Sequence, residues 1–182
     1  MADTAAFADV EARLKDFTAA DNPWRHIARE LLASVQFRLK DYPGANTQVM
    51  GILADPSTPP PLRRPIKTHL AALDEEAVRS AIREIPDGTY EASSFLDDDG
   101  IRIGQALPIQ VKVTVAGDEI TVNLDGLADQ VAGPWNAGFQ GGAVAAVRIA
   151  CKFFFASQDP ANEGTFRPIR IECRPGTLMS AR

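Results

Sequence analysis

A run rich in amides and glycines, NLDGLADQVAGPWNAGFQGG, occupies residues 123–142. Its side-chain amides include Gln130 and Asn136, and an amide both donates and accepts hydrogen bonds. Such groups can recognise an amide or a carbonyl of a substrate, or they can hold the backbone of the loop itself. A simple connection has about two to six residues, and a loop several times longer is often functional. The residues alone leave both roles open.

Residues that commonly serve as acids, bases or metal ligands are few in this chain. The two histidines, His26 and His69, have no acidic or histidine partner at ligand spacing, so both are interpreted as structural. The acidic turn DDDG at residues 97–100 lacks the spacing and the distal Glu of a calcium loop. The sequence contains no nucleophile elbow and no dinucleotide or P-loop fingerprint. We therefore assign no catalytic residue and no metal site from the residues.

The composition excludes several classes of function. The formal net charge is −5, whereas a general nucleic-acid surface needs clustered Lys and Arg. The best candidate for a membrane span, residues 143–156, is too short and carries Arg148 and Lys152. The N-terminus has early acidic residues and no apolar core, unlike a signal peptide. The two cysteines have no ligand spacing and are interpreted as core thiols in a reducing cytoplasm.

The first part of the chain is predicted to be a helical arm followed by a linker. Apolar residues recur every three or four positions within residues 1–42, which predicts helices. Six of the 13 prolines lie between Pro43 and Pro65. This density predicts an extended, proline-rich linker over residues 43–72.

Residues 73–182 have the patterns of a domain that mixes helices and strands. Apolar and polar residues alternate over 109–115 and again over 120–124, and Gly117-Asp118 lies between the two runs. This pattern predicts a β-hairpin. Further strands are expected over 89–95 and 166–173, and a helix over about 74–84.

The segment at residues 141–157 is apolar nearly all round, and such a segment predicts a helix that is buried on most of its sides. The predicted fold class is therefore α+β, an antiparallel sheet with a central buried helix, plus the N-terminal helical arm.

Four segments of the second half, taken in order, carry a family resemblance. They are IPDGTYEASSFLDDDG at residues 85–100, the hairpin, NLDGLADQVAGPWNAG at 123–138 and PANEGTFRPIRIECRPGTL at 160–178. In this order they resemble the hydantoinase B/oxoprolinase family, over about residues 78 to 178. The resemblance rests on the order and spacing of the segments rather than on any one of them. The residues before 78 match much less clearly.

The resemblance implies a function in a larger assembly. Members of the family are large subunits or halves of ATP-dependent enzymes that open cyclic amides such as hydantoins and 5-oxoproline. Related complexes carboxylate ketones such as acetone and acetophenone. The resemblance implies that this chain holds no cofactor and that ATP and a divalent metal are held by partner subunits. The partners it implies are hydantoinase-A-like and other hydantoinase-B-like subunits in a hetero-oligomer.

Carried over by position, the resemblance singles out polar residues and glycines of the two later segments. The candidates for substrate contact or loop structure are Gln130, Asn136, Asn162 and Arg167, and the structural glycines are Gly126, Gly133, Gly164 and Gly176. The loop is expected to fold against residues 162–168. Arg167 either binds an anion or bridges to a loop carbonyl, and both roles stay open. Asn123 stands where the family more usually has Asp.

The family's subunits are several times longer than this chain of 182 residues, and the family's metal-binding His and acidic residues are not found here. The chain is therefore expected to be a split small subunit, a truncated product or a fragment, and not an enzyme that is active alone. The first hypothesis is a partial subunit of a complex that hydrolyses the C–N bond of cyclic amides with ATP. A subunit of an ATP-dependent ketone carboxylase and a non-catalytic assembly module are the alternatives.

Overall fold

The computed structural model describes residues 2–155 and 160–182. Contacts between Cα atoms divide the chain into two compact units, Met1–Asp74 and Glu75–Arg182. Among the residues described, no helix is long and apolar enough to cross a membrane. Each unit has a core of its own, and the two are described in turn.

The first unit is built from helices. They are α1 (Ala2–Lys15), α2 (Arg25–Arg38), α3 (Tyr42–Ala54) and the larger part of α4 (Pro60–Ile82), and a short 3-10 turn, Asp16–Thr18, follows α1. Helices α2, α3 and α4 supply a small buried core of Ala33, Ala45, Val49, Ile52, Ile66 and Leu73. The helical arm predicted for residues 1–42 is thus only part of a helical unit.

The prediction of an extended linker over residues 43–72 is wrong, because this segment forms most of α3 and α4. Pro43 lies in the first turn of α3, where the Asp41 side chain caps the helix by accepting a hydrogen bond from Gly44 N at 3.0 Å. Pro60 is the first residue of α4. A proline has no N–H to donate, but the first turn of a helix has no intrahelical acceptor for that group. Pro43 and Pro60 therefore lie where helices begin, while Pro65 lies inside α4.

The second unit is built on a four-stranded sheet in the order β1-β2-β3-β4. The strands are β1 (Gly88–Leu96), β2 (Leu107–Ala116), β3 (Glu119–Asn123) and β4 (Ile169–Glu172). Strands β1, β2 and β3 pair antiparallel. The predicted hairpin is confirmed, with Ala116 opposite Glu119 and Gly117 in the turn at φ 62°. That left-handed conformation is one that glycine adopts readily.

Strand β4 departs from the predicted antiparallel sheet. It runs parallel to β3, with Ile120 opposite Ile169. A parallel pair needs a crossover of about a dozen residues or more, and the chain between these strands contains α5 (Ala145–Phe155) and α6 (Glu163–Phe166). The α+β class is confirmed, and the sheet is mixed rather than antiparallel.

The core of the second unit lies on one face of this sheet. The end of α4 contributes Val78 and Ile82, and α5 contributes Val147. These side chains pack with apolar residues of the hairpin, including Val115, Ile120, Val122 and Leu124. The opposite face of the sheet carries the polar half of the alternation, so the hairpin has one dry face and one wet face.

Helix α5 is less buried than the sequence predicts. It follows a π-helical turn, Gln140–Val144, and it buries Val147 against the sheet. Phe153 and Phe154 are each 74% exposed, and Ile149 is 58% exposed. The predicted burial on most sides is therefore wrong for the chain by itself. The last two residues of the predicted segment, 156 and 157, lie outside the described part.

Candidate functional site

The signature loop, residues 124–138, is fixed by backbone hydrogen bonds to the C-terminal segment, residues 174–182. The bonds are Gln130 N to Gly176 O at 2.8 Å, Leu178 N to Ala128 O at 3.0 Å, Ala137 N to Leu178 O at 2.7 Å and Ala181 N to Ala137 O at 3.0 Å. Each segment both donates and accepts, as in a short β-ladder, so the two segments hold each other in one conformation.

This arrangement differs from the expected packing of the loop on residues 162–168. The loop's long-range backbone hydrogen bonds run to the C-terminal segment and, at its start, to Pro108 and Glu172. The expectation rested only on the order of these two segments along the sequence. That order does not show which residues are close in space. The PGTL end of that later segment, rather than its NEGTFRP beginning, contacts the loop.

Arg174 is the main side chain that joins the C-terminal segment to the loop. Its backbone N donates to Asp125 Oδ1 at 2.6 Å, and its Nε donates to Asp125 O at 3.0 Å. Its guanidinium also lies 2.7 Å from Asp129 Oδ1. This residue was not among the candidates predicted from the sequence. The available signal for this contact was the presence of two aspartates four residues apart in the loop and of a cation beside Pro175-Gly176.

The loop also packs on the Asp99 turn, residues 97–104. A Cβ atom at Gly133 would overlap the carbonyl oxygen of Asp99, so only glycine permits this approach. Asp99 is 2% exposed, and its Oδ1 accepts hydrogen bonds from Ile101 N at 2.9 Å and Arg102 N at 2.5 Å. These backbone N–H groups, that of Arg102 first, lower the pKa of Asp99. This carboxylate shapes the turn and is not poised to act as an acid.

Asn136 holds the loop's own backbone. Its Oδ1 accepts from Val131 N at 2.9 Å, and its Nδ2 donates to Val131 O at 2.6 Å and to Gly133 O at 3.2 Å. Gln130 is less engaged: its Oε1 accepts from Arg182 N at 2.9 Å, while its side-chain N–H groups have no hydrogen-bond acceptor among the described residues. Of the two loop amides, Gln130 therefore retains donors for a ligand.

Asn162 and Arg167 lie in a different part of the second unit. Asn162 caps helix α6, since its Oδ1 accepts from Gly164 N at 2.8 Å. Arg167 Nη1 lies 3.0 Å from Glu75 Oε2 on α4, and its hydrogen bond is the main cause that lowers the pKa of Glu75. The cation thus pairs with a carboxylate of this chain, and its binding of a ligand anion stays a prediction. The structure does not gather the four candidates into one cleft.

In the first unit, His26 has polar neighbours that the sequence did not predict. Asp55, at the end of α3, lies 3.7 Å from His26 Nε2, and Thr58 Oγ1 lies 3.3 Å from His26 Nδ1. Ser57 Oγ donates to Asp55 Oδ1 at 2.6 Å and also contacts Arg25. Ser57 Oγ also lies 3.4 Å from His26 Nε2, but its shorter hydrogen bond goes to the Asp55 carboxylate, which can only accept. This geometry favours a structural cluster over an activated serine. The cluster fixes the connection between α3 and α4 on α2.

Groups that hold metals are not assembled in the part of the chain that the structure describes. Within it, no three His, Cys, Asp or Glu side chains lie close enough to hold a metal ion. Cys151 and Cys173 are free thiols. Burial raises the pKa of the Cys151 thiol to about 11, so this sulfur stays protonated at neutral pH. The second unit offers a shaped backbone surface rather than an acid–base set.

Two grooves lie on opposite faces of the sheet. The groove on the wet face, about 470 Å³, is lined mainly by polar side chains, and the full lining is Glu91, Ala92, Ser93, Gln110, Val111, Lys112, Asn123 and Gly126. Lys112 Nζ and Glu91 Oε1 lie 3.1 Å apart there. The groove on the dry face, about 660 Å³, lies between α5 and the sheet and is lined almost wholly by apolar side chains.

Known proteins share both the sequence and the fold of this region. Residues 66–182 match the family described as Hydantoinase B/oxoprolinase. The beta subunit of the caprolactamase of Pseudomonas jessenii is 30% identical over 116 residues, which are 63% of this chain and 19% of the relative. The B subunit of a putative D-/L-hydantoinase of Pseudomonas sp. (strain NS671) is 34% identical over 121 residues, which are 62% of this chain and 20% of the relative. The chain spans about a fifth of the length of these curated relatives.

The solved structure of the ATP-dependent caprolactamase from Pseudomonas jessenii matches with a TM-score of 0.57 and 23% sequence identity. The match covers 85% of this chain and 26% of that chain, and it shows a shared fold. The family match is the stronger finding, because residues 66–182 are more than half of this chain and include the signature loop, the Asp99 turn and the C-terminal segment. The chain therefore belongs to the Hydantoinase B/oxoprolinase family.

Proposed function

We propose that this chain is a partial B-type subunit of an ATP-dependent complex that hydrolyses the C–N bond of cyclic amides. The observation that carries the proposal is the family match over residues 66–182, joined to two relatives that are named as subunits of a caprolactamase and of a hydantoinase. Both names denote enzymes that open cyclic amides. The chain acts within a hetero-oligomer and not alone.

The contacts of the second unit favour a supporting role in catalysis rather than a self-sufficient one. Asn136, Asp99 and Arg174 direct their polar atoms at backbone groups of the loop and the turn. Proton transfer to and from a substrate needs groups whose pKa values lie near the working pH, and these three side chains are committed to structure. The acid–base groups, ATP and a divalent metal belong, in this proposal, to hydantoinase-A-like and other hydantoinase-B-like partners.

We assign Gln130 of this chain to substrate binding. Its side chain is exposed, and it lies on a loop whose backbone is fixed by the C-terminal segment. An amide N–H can donate to a carbonyl oxygen of a cyclic amide. When phosphoryl transfer from ATP activates that oxygen, stabilising its developing charge requires donors that are already in place. A rigid loop holds such a donor without a cost in reorganisation.

The proposal is tested on the complex that assembles around this chain in its native cells. A tag on the chain isolates the complex, and phosphate release is measured with caprolactam, hydantoin and 5-oxoproline, each with ATP and magnesium. We expect phosphate release that depends on at least one cyclic amide, together with the ring-opened product. Phosphate release that instead requires acetone or acetophenone with bicarbonate would identify a ketone carboxylase and overturn the proposal.

Variants of the loop distinguish a substrate contact from an assembly role. Replacing Gln130 with Ala is expected to lower kcat/KM for the cyclic amide about 10-fold or more, the size typical of a lost hydrogen bond to a charged group. Complex assembly is expected to stay intact. Thr121→Ala, on β3 and away from the loop, is the control for a small substitution in this unit. Unchanged turnover in the Gln130→Ala complex would show that the chain serves only assembly.

A further inference from the structure

The dry-face groove is unusual for an exposed surface because it offers almost no polar atom. Val111, Val113, Val122, Ala150 and Phe154 are among its lining residues. Tyr90 is the one lining side chain with an oxygen, and its OH already donates to Pro86 O at 2.8 Å. The other heteroatoms are the sulfurs of Cys151 and Met179, which form only weak hydrogen bonds. A small polar substrate such as a cyclic amide needs directed hydrogen bonds. The groove therefore suits apolar side chains.

On the dry face of the sheet, the exposed fraction of the side chains increases from β3 to β1. Ile120 and Val122 on β3 are 5% and 6% exposed, whereas Tyr90 on β1 is 45% exposed. Val111 and Val113 on β2, between them, are half-buried. Four strands spaced about 4.8 Å apart span roughly 14 Å between their outer axes. A helix about 10 Å wide covers only part of that width, and the end of α4 adds Val78 and Ile82 to the same core. Because Tyr90 on β1 stays 45% exposed beside α5 and α4, the sheet has room for a further helix over β1 and the adjoining part of β2.

Side chains on β1 allow a helix to approach closely. Ala92 and Ser94 lie opposite Val111 and Ile109 in the antiparallel register, and directly opposite residues share one face of a sheet. Both β1 side chains are small and exposed. A helix that packs its apolar side on β2 would therefore meet little obstruction over the middle of β1, between Tyr90 and Leu96.

The lengths of the relatives indicate where that helix comes from. The matched region is 19% of the caprolactamase subunit and 20% of the hydantoinase subunit, so about four fifths of each lies outside it. Interfaces between separately folded proteins are only about 56–58% non-polar, while obligate interfaces resemble a domain core cut in half. The groove is of the second kind, which favours an occupant from the same fold over an independent partner.

Resting on the proposed function, we propose that the dry-face groove receives an amphipathic helix of a B-type subunit, from the part of that subunit that this chain does not match. The apolar side of the helix packs on β1 and β2 beside α5, and its apolar residues recur at positions i, i+3, i+4 and i+7. Its partner surface includes Phe154, which is 74% exposed in the chain alone.

The test maps what lies on each face of β1 in the native complex. A photo-reactive p-benzoylphenylalanine replaces Ala92 in one variant and Ser93 in a second, and both are expressed in the native cells. The two positions are neighbours on one exposed strand, but they lie on opposite faces of the sheet. We expect position 92 to cross-link to a helical peptide with hydantoinase-B-type sequence, and position 93 to give no such product.

A second pair of variants tests the same surface without a probe. Ala92→Arg is expected to abolish co-purification of the B-type polypeptide, because it places a guanidinium opposite Val111, beside the apolar groove, where a packed helix offers it no partner. Ser93→Arg is expected to retain co-purification. Urea unfolding of the isolated chains checks that both variants fold. A cross-link from position 92 to a second copy of this chain, to another class of protein or to a small apolar molecule would overturn the proposal, as would no cross-link.

The outcome is independent of turnover. A complex that hydrolyses cyclic amides but gives no B-type cross-link from position 92 would overturn the groove proposal alone. A complex that gives the cross-link but acts on no cyclic amide would overturn the proposed function alone.

Discussion

The backbone of Gly133 lies against the carbonyl of Asp99 so closely that no side chain fits between them. We predict that Gly133→Ala lowers the free energy of unfolding by about 1–3 kcal/mol, the usual cost of forcing an extra group into a packed site. Gly138→Ala in the same loop is the matched control, since a Cβ there meets no atom within 4 Å. Urea unfolding measures both. Equal midpoints for the two variants would show that the Gly133 contact is not formed.

Asn136 makes three hydrogen bonds to the backbone of its own loop. We predict that Asn136→Ala lowers the free energy of unfolding by about 1–3 kcal/mol, because backbone groups lose their partners. Gln130→Ala removes one exposed bond to Arg182 N and is expected to cost less than about 1 kcal/mol. The comparison is made by urea unfolding of the isolated chain. A larger loss for Gln130→Ala would contradict the division of roles between the two amides.

The Cys151 thiol gives a prediction with its own pH profile. Because burial raises its pKa to about 11, its thiolate fraction at pH 8 is about 100-fold below that of a thiol with a pKa near 9. The Cys173→Ser variant leaves Cys151 as the chain's one cysteine. We expect its alkylation by iodoacetamide to keep rising in rate through pH 10. A rate that levels off near pH 9 would show that the sulfur is not buried.

At the residue scale, the sequence indicated which side chains matter better than what they contact. Gly133 and Asn136 belong to segments that the family resemblance singled out. The contacts of Arg174 with Asp125, and of His26 with Asp55, join residues 49 and 29 positions apart in the chain. Such pairs follow from the folded path of the backbone, and no local pattern in one sequence encodes them.

At the element scale, local periodicity predicted the hairpin of β2 and β3 because alternation and a two-residue turn are both short-range features. It did not predict the parallel pairing of β4, which depends on the crossover between β3 and β4. It also misassigned residues 43–72, because proline density alone does not distinguish a proline in the first turn of a helix from one in extended chain. Composition measured over a window loses that positional information.

Ion pairs link the end of α4 to the β2–β3 turn, and they give a pH prediction. Arg83 Nη2 lies 2.9 Å from Asp118 Oδ2, and Arg79 Nη1 lies 3.0 Å from Asp118 Oδ1. The hydrogen bond from Arg83 is the main cause that lowers the pKa of Asp118. A carboxylate with a lowered folded-state pKa stabilises the fold above its unfolded-state value, about 3.9 for Asp. That contribution is lost as the pH falls through the folded-state pKa.

We therefore expect the free energy of unfolding to fall as the pH is lowered from about 5, and Asp118→Asn to flatten this dependence. At pH 7 the variant should be less stable than the unmodified chain, by a modest amount because the pairs are partly exposed. Urea unfolding at a series of pH values measures both effects. Parallel pH curves for the variant and the unmodified chain would show that Asp118 does not carry the acid sensitivity.

At the scale of the whole molecule, apolar surface is left uncovered in each unit. Trp24 is 62% exposed and Ile27 and Leu31 on α2 are each 49% exposed, while Phe153 and Phe154 on α5 are each 74% exposed. The all-round apolar composition of α5 predicted burial that the chain alone does not provide. The chain spans about a fifth of the length of its curated relatives, and in the proposed complex partner subunits cover this surface.

The central claim is that this chain is a required part of a complex that opens cyclic amides with ATP. The direct measurement is phosphate release driven by a cyclic amide, from partner subunits purified without this chain and then titrated with it. We predict little release before addition, and a rise that saturates when the chain reaches a fixed ratio to its partners. Amide-driven release that is complete without the chain and unchanged by its addition would contradict the account.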